Sequence, residues 1–279
     1  MTTQAITAPP LSAEAYAHCF LTFRKHSTEW LGMLRWCRDR IVDLLPPRPR
    51  LCAMSVGAGN GDFDWRLLPM LRSQADSLEY VFVEPSEAMC AHLRERMACE
   101  PLEGVAFDLE VSCFETCRLE QAFDLVLLTH CLYYIPDREA AIRNAARLAG
   151  DKGLVLIFHQ TPLGIDQVQQ KFIKRVKGND QEMYTSRDIQ AILDSVAIPY
   201  RVEQIDSYID VSECLRPGSK EGEALLSFFL ECDVRRLDPG LKKELVDYIN
   251  GLSVLDHGKR LLHHPVAVFV LSGGTNAAG

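Results

Sequence analysis

Short apolar segments alternate with amphipathic ones through the middle of the chain, and this alternation constrains the fold more than any other feature. The apolar segments are LCAMSV, YVFVEP, VAFDLEV, the first half of FDLVLLTHCLYYI, and GLVLIFHQ. Strands that are joined by helices favour a parallel sheet with right-handed crossovers. The segment LVLL is apolar without interruption, as expected for a strand that is covered on both faces. The sequence therefore predicts an α/β fold whose sheet carries helices on both faces.

The segments on either side complete this plan. Apolar positions at helical spacing predict one helix over residues 13–45, and further helices are expected at TSRDIQAILDSV and over residues 221–256. Two late strands, YRVEQIDSYIDV and HPVAVFVLSG, bring the expected mostly parallel sheet to seven strands. We expect one domain in four parts: a helical lid for substrate at 1–48, a cofactor-binding core at 49–160, substrate-binding insertions within 161–273, and a disordered tail at 274–279.

Composition excludes several classes of partner. The formal net charge is -8 and the basic residues are scattered, so nucleic acid binding has little electrostatic support. No apolar run reaches the roughly 20 residues that a membrane span needs, and the N-terminus lacks a signal-peptide pattern. The ten cysteines form no CxxC pair, which favours reduced thiols over disulfides or zinc. We therefore expect a cytoplasmic protein, monomeric or homodimeric, without a metal site.

The glycine turn SVGAGNG follows a predicted strand and opens a predicted helix, as in sites where backbone amides face a nucleotide-like ligand. Glu84 ends the next strand, 23 residues after Gly61, where a carboxylate can accept hydrogen bonds from both hydroxyls of a ribose. Asp62 and Asp64 follow the turn, and their charges would repel a pyrophosphate but tolerate a sulfonium cation. The pattern favours S-adenosylmethionine; a nicotinamide-dependent oxidoreductase and a purely structural turn stay open as alternatives.

The strings SVGAGNGDFD, VFVEPS and FDLVLLTHCLYYIPD, in this order, resemble those of class I S-adenosylmethionine-dependent methyltransferases. More narrowly, the chain is similar to the histamine N-methyltransferase family over nearly its full length. The strings that carry this similarity are YAHCFLTFRKHSTEW, VEPSEAM, YTSRDI, DVSECL and GKRLLHHPVAVFV. The resemblance implies a Rossmann-like fold with an added lid, and methyl transfer from S-adenosylmethionine to a small molecule.

The resemblance also implies the positions of the site residues. Those expected at the cofactor are Gly57, Gly59, Glu84, Met89, Ser112 and Thr129. Those expected at the substrate are Tyr16, Phe20, Glu29, His130, Tyr134, Gln169, Met183 and His264. Three of these substrate residues, Glu29, His130 and His264, are the expected catalytic residues, because they can orient the methyl acceptor or take a proton from it.

Four departures from the family bear on the substrate. His130 stands in place of a glutamine, His264 in place of an asparagine, and Gln169 in place of a tryptophan. The region around Met183 lacks a cysteine and a tyrosine of the family. This more polar set favours an imidazole or amine that carries an extra polar group such as a carboxylate, methylated at nitrogen by direct in-line transfer.

Other interpretations stay open from the residues alone. The alternatives are an O-methyltransferase of a small polar metabolite and a cofactor-binding protein without activity on the same fold. As alternatives to a role at the substrate, Glu29 caps a helix or pairs on its surface with Arg24 or Lys25, His130 is a core histidine, and His264 is a loop residue. Glu29, His130 and His264 could also form a two-histidine, one-carboxylate metal site, although nothing in their local spacing supports one.

Overall fold

The structure is a computed structural model that describes residues 8–178 and 184–272. Its helices are α1 (Ala13–His26), α2 (Glu29–Leu44), α3 (Asp62–Arg72), α4 (Glu87–Cys99), α5 (Arg138–Ala149), α6 (Ile165–Lys177), α7 (Ser186–Ser195), α8 (Lys220–Leu230) and α9 (Pro239–Leu252). Its strands are β1 (Arg48–Val56), β2 (Ala75–Val83), β3 (Val105–Glu110), β4 (Leu125–Thr129), β5 (Leu154–Gln160), β6 (Arg201–Ile205), β7 (Tyr208–Asp210), β8 (Val254–Asp256), β9 (Lys259–His263) and β10 (Val266–Ser272). Met183 and the predicted tail at 274–279 lie outside the described residues.

The described residues fall into two compact units. The first unit takes its residues from Met1–Gly32, Gln160–Arg187 and Asp206–Val266, and the second takes the rest of the chain. Residues of the predicted lid are thus divided, since α1 belongs to the first unit and most of α2 to the second. The lid role of residues 1–48 stays a prediction.

The second unit holds most of a seven-stranded sheet in the order β3-β2-β1-β4-β5-β10-β6. The pairs β3-β2, β2-β1, β1-β4 and β4-β5 are parallel. The predicted seven-stranded, mostly parallel sheet is confirmed. The chain runs outward from β1 to β2 on one side and to β4 on the other, so the strand order reverses at β1. In open α/β sheets, ligands bind outside the carboxyl ends of the strands at such a reversal.

The first unit has a different architecture. Strands β7, β9 and β8 form a three-stranded antiparallel sheet. Around it, α1, α6, α8 and α9 contribute to an apolar core that includes Phe23, Phe172 and Phe229. This unit therefore has a core of its own, separate from the core of the seven-stranded sheet.

Several predicted elements differ from the observed ones. The helix predicted over 13–45 is two helices, because the chain between α1 and α2 pairs with β7: the Thr28 amide donates to the Tyr208 carbonyl at 2.9 Å. The predicted strand YRVEQIDSYIDV is likewise two strands, β6 and β7, in different sheets. Helix α6 was not expected from the sequence, and the block 221–256 consists of α8, α9 and then β8.

A search of the described helices finds none that is long and apolar enough to cross a membrane.

Candidate active site

The glycine turn lies between the end of β1 and the start of α3, in the second unit. Gly57 has a φ of +63°, which favours glycine, and its amide donates to the Val83 carbonyl at 2.8 Å. A Cβ at Gly57 would lie only 2.6 Å from the Cβ of Cys131. A Cβ at Gly59 would meet nothing within 4 Å. The turn is thus packed tightly where it leaves the sheet and is open at Gly59.

Glu84 follows β2, and its buried carboxylate is fixed by two backbone amides. Its Oε2 accepts from the Gly59 amide and its Oε1 from the Ser86 amide, both at 2.9 Å. A carboxylate oxygen has two lone pairs, so each oxygen can accept one further hydrogen bond. The two oxygens are therefore held in place as acceptors for a ligand with two adjacent hydroxyls.

The other expected cofactor residues lie at the same edge of the sheet. Met89 is in the first turn of α4 and is 39% exposed, Ser112 follows β3, and Thr129 ends β4. The Thr129 hydroxyl is buried and has no hydrogen-bond partner within the described part of the chain. Buried hydroxyls are normally satisfied, so this one indicates a place for a ligand.

Asp62 and Asp64 have structural partners. Asp62 Oδ1 accepts from Arg96 Nη1 at 2.7 Å, and the buried Asp64 accepts from the Tyr80 hydroxyl at 2.6 Å. Burial raises the pKa of Asp64 above its usual range. Asp62 thus stabilises the turn and Asp64 stabilises the contact of α3 with the sheet. This corrects the interpretation that their charges select against a pyrophosphate.

The first unit brings together two of the three predicted catalytic residues. Glu29 begins α2 and His264 lies between β9 and β10, and Glu29 Oε2 is 3.3 Å from His264 Nε2. Their side chains are 5% and 3% exposed, so Glu29 does not belong to an exposed helix surface. When Glu29 is ionised, its oxygens only accept hydrogen bonds, and the proton between the two groups then belongs to His264 Nε2. The two residues form a buried carboxylate–imidazole pair.

The local backbone around α6 holds this imidazole. His264 Nδ1 is 3.4 Å from the Ile165 amide and 3.4 Å from the Leu163 carbonyl. It can accept from the amide when the ring is neutral and donate to the carbonyl when the ring is protonated. Gly164, with a φ of +66°, lies beneath the ring, and a Cβ there would be 2.7 Å from Nδ1. Either protonation state of His264 therefore has a partner.

Aromatic side chains of α1 and α8 lie next to this pair in the first unit. The rings of Tyr16 and Phe20 each lie 5.9 Å from that of Phe228. Phe23 stacks on Phe228 at 4.6 Å and meets the His264 ring edge-on at 6.2 Å. Phe228 was not predicted from the sequence, because one aromatic residue in an apolar helix is indistinguishable from ordinary core.

Gln169 lies on α6, in the same unit, and is buried. Its Oε1 has no hydrogen-bond partner among the residues that the structure describes. The Gln169 side chain therefore offers a hydrogen-bond acceptor to a polar ligand. Its predicted place at the substrate stays a prediction.

The third predicted catalytic residue, His130, belongs to the second unit and directly follows β4. Its Nδ1 is 3.0 Å from the Tyr133 hydroxyl, and the Tyr133 ring stacks on the buried His159 ring at 4.2 Å. Tyr134, expected at the substrate, is 74% exposed. His159 was not predicted to lie at this turn, because only the fold brings His159 of β5 beside the turn after β4.

A search for groups of three or more potential metal ligands finds none in residues 8–178 and 184–272.

Comparison with known proteins gives the class of enzyme. A family model described as a methyltransferase domain matches residues 54–155, which run from the end of β1 into β5 and include the glycine turn and Glu84. Histamine N-methyltransferase A of Xenopus laevis is 25% identical over 277 residues, covering 92% of this chain and 94% of the relative. Histamine N-methyltransferase of Danio rerio is 27% identical over 252 residues, covering 84% and 86%.

The chain is an S-adenosylmethionine-dependent methyltransferase. Solved structures agree with its fold: a Bacillus halodurans protein matches with a TM-score of 0.57 at 11% identity, over 85% of this chain and 99% of that one. The plantazolicin methyltransferase BpumL, in complex with S-adenosylhomocysteine, matches with a TM-score of 0.53 at 11% identity, over 94% and 91%. The sequence prediction of S-adenosylmethionine over a nicotinamide cofactor is confirmed.

The residues of this methyltransferase fit the cofactor. Glu84 presents two fixed oxygens that suit the two hydroxyls of a ribose, the space at Gly59 admits a ligand close to the backbone, and Thr129 offers a buried hydroxyl. The bound cofactor supplies a methyl group on a positively charged sulfur. The protein has to hold that group and align an acceptor with it.

Proposed function

We propose that this methyltransferase transfers the methyl group to a nitrogen of a small imidazole- or amine-containing metabolite. The observation that carries the proposal is the buried Glu29–His264 pair, in a chain whose histamine N-methyltransferase relatives match it over most of their length. A carboxylate–imidazole pair can orient a nitrogen through charged hydrogen bonds, which are stronger than neutral ones.

On the cofactor side, Glu84 binds the ribose hydroxyls and Thr129 hydrogen-bonds the adenosyl part. The remaining residues proposed to line the cofactor are Gly57, Gly59, Met89 and Ser112. The fixed carboxylate of Glu84 supports this assignment, because hydrogen-bond acceptors that are already in place cost little reorganisation on binding.

On the acceptor side, Glu29 and His264 orient the reacting nitrogen, and His130 binds another polar group of the acceptor. The remaining residues proposed to contact the acceptor are Tyr16, Phe20, Tyr134 and Gln169; Met183, which was also predicted there, lies outside the described residues. The aromatic cluster around Phe228 supports an apolar wall beside the pair in the first unit.

Alignment supplies most of the catalysis in such a transfer, because holding the acceptor nitrogen in line can contribute several kcal/mol. An imidazole acceptor is mostly neutral at pH 7 and already has a free lone pair. A primary amine must first lose a proton. The Glu29–His264 pair can accommodate that proton, since His264 Nδ1 faces both a carbonyl and an amide.

The test is a panel of histamine, L-histidine, other small amines and small alcohols, with S-adenosylhomocysteine release as the signal and mass spectrometry and NMR locating the methyl group. N-methylated products support the proposal. Products methylated only at oxygen would assign the chain to the alternative class. Cofactor binding by calorimetry without turnover on any compound would indicate a protein that only binds the cofactor.

Two variants separate the proposed roles. Glu84→Ala should weaken S-adenosylhomocysteine binding. Glu29→Gln should leave that binding unchanged and reduce turnover of the acceptor, because Glu29 is proposed to contact only the acceptor. Equal loss of cofactor binding in both variants would contradict this division.

A further inference from the structure

His130 has an unusual backbone at the edge of the sheet where ligands bind. Its φ is +50°, a left-handed conformation that few non-glycine residues adopt. Its amide donates to the Phe158 carbonyl at 3.0 Å, which continues the pairing of β4 with β5 by one residue. Uncommon backbone conformations persist where the surroundings impose them, and they cluster at functional sites. The fold thus places the His130 ring at a defined position beyond β4.

Tyr133 is held at its backbone, its ring and its hydroxyl. Arg138 donates through Nε to the Leu132 carbonyl at 3.0 Å and through Nη2 to the Tyr133 carbonyl at 3.4 Å, which fixes the turn. The Tyr133 ring stacks on His159, which is fully buried. The hydroxyl lies 3.0 Å from His130 Nδ1. Tyr133 is therefore a rigid partner for one nitrogen of His130.

The chemistry of the two groups decides which of them donates. A phenol, with a pKa near 10, is a better donor than a neutral imidazole N–H, and an imidazole nitrogen is a better acceptor than a phenol oxygen. The favoured arrangement has the Tyr133 O–H donating to His130 Nδ1. The proton of the neutral imidazole then lies on Nε2, which makes Nε2 a donor.

We propose that the His130–Tyr133 pair selects a methyl acceptor that carries a carboxylate, and that this carboxylate accepts the hydrogen bond from Nε2–H of His130. This inference rests on the proposed function, in which His130 contacts the methyl acceptor. A carboxylate is the strongest common partner for such a donor, and the chain from the Tyr133 hydroxyl through the imidazole to the carboxylate strengthens each bond in turn. Tyr133 acts as a positioning residue, because it sets the tautomer of His130 without contacting the acceptor itself.

A histidine whose Nδ1 is occupied by a hydroxyl presents only a donor from its neutral ring. A carboxylate gains a charge-assisted hydrogen bond from this donor, whereas a neutral group gains only an ordinary one. The pair therefore favours an anionic group on the methyl acceptor.

L-Histidine and histamine differ only in the carboxylate and are the matched probes. A hydrogen bond to a charged group implies a preference of about 10- to 150-fold in kcat/KM for L-histidine. His130→Leu, which removes the donor, should reduce this preference to within about threefold of unity, with the affinity for S-adenosylhomocysteine unchanged. Tyr133→Phe should reduce it only about twofold, because a mixture of tautomers still leaves about half of the molecules with the proton on Nε2. Tyr200→Phe is the control, because it removes a tyrosine hydroxyl that binds Asp194 at 2.9 Å in the same unit.

The tautomer can be observed without turnover. In protein labelled with ¹⁵N-histidine and saturated with S-adenosylhomocysteine, the His130 signals, assigned by their loss in His130→Gln, should show the proton on Nε2. Tyr133→Phe should produce a mixture of tautomers, and Tyr200→Phe should not. A proton on Nδ1 in the wild-type protein would overturn the inference.

The outcomes separate this inference from the proposed function. Methylation of both probes at nitrogen with equal kcat/KM would overturn the carboxylate preference and leave the N-methyltransferase proposal standing. An unchanged tautomer of His130 in the spectra of Tyr133→Phe would overturn the positioning role of Tyr133. If neither probe nor any other amine were methylated, the proposed function would fall, and the carboxylate preference with it.

Discussion

Gly164→Ala should displace His264 and so break its pair with Glu29. The new Cβ would lie 2.7 Å from His264 Nδ1 and 2.8 Å from the His264 Cβ, and the backbone at Gly164 has a φ of +66°. Alanine in this conformation costs about 1–3 kcal/mol, and forced overpacking costs about 1–3 kcal/mol more. We therefore expect the free energy of unfolding to fall by about 2–6 kcal/mol.

Acceptor turnover should fall in the same variant because the imidazole can no longer reach Glu29. Loss of a hydrogen bond to a charged group corresponds to about a 10- to 150-fold decrease in kcat/KM. The affinity for S-adenosylhomocysteine should stay within about twofold of wild type, since the glycine turn and Glu84 belong to the second unit.

The assays are urea denaturation, calorimetry with S-adenosylhomocysteine, and turnover of the best acceptor in the panel. Gly218→Ala is the matched control in the first unit: its φ is +75°, but its new Cβ would meet nothing within 4 Å. It should cost about 1–2 kcal/mol and leave turnover intact. Equal stability and equal turnover in the two variants would refute the claim that close approach to His264 requires glycine at 164.

Three further perturbations test the cofactor side. Glu84→Ala should raise the Kd of S-adenosylhomocysteine by about 30- to 150-fold in calorimetry, because charged hydrogen bonds to the ribose are lost; an unchanged Kd would contradict the assignment. Arg96→Gln should raise the same Kd about 3- to 10-fold, because Arg96 holds the glycine turn through Asp62. Arg94→Gln is the control and should leave the Kd unchanged, because the Arg94–Glu87 ion pair is exposed. Equal effects of the two variants would contradict the role of Arg96. Asp64→Asn should gain stability relative to wild type as the pH rises above about 4. The pKa of Asp64 is raised in the native state, so as the pH rises its carboxyl ionises first in the unfolded state, which lowers the stability of the wild type. Asparagine does not ionise. Parallel pH profiles of the unfolding free energy in the two proteins would contradict this.

The sequence determined the parallel core and the cofactor. Uninterrupted apolar segments such as LVLL form buried strands almost regardless of context, because they must be covered on both faces. The glycine turn and the acid at the end of the following strand are local features whose spacing is fixed by one strand–helix–strand unit. Gly57, Gly59 and Glu84 were identifiable for this reason, and the structure places Gly59 and Glu84 in direct hydrogen-bond contact.

Only the tertiary structure decided the partners of the remaining polar groups. Asp62 and Asp64 have the same local setting, yet one pairs with an arginine of α4 and the other is buried against a tyrosine of β2. The pair Glu29–His264 joins residues 235 positions apart in the chain, and the ring that stacks on Tyr133 comes from His159 of β5. Hydrogen bonds and ion pairs act over a few ångströms, so their partners follow from how distant segments pack and cannot be predicted from local sequence pattern.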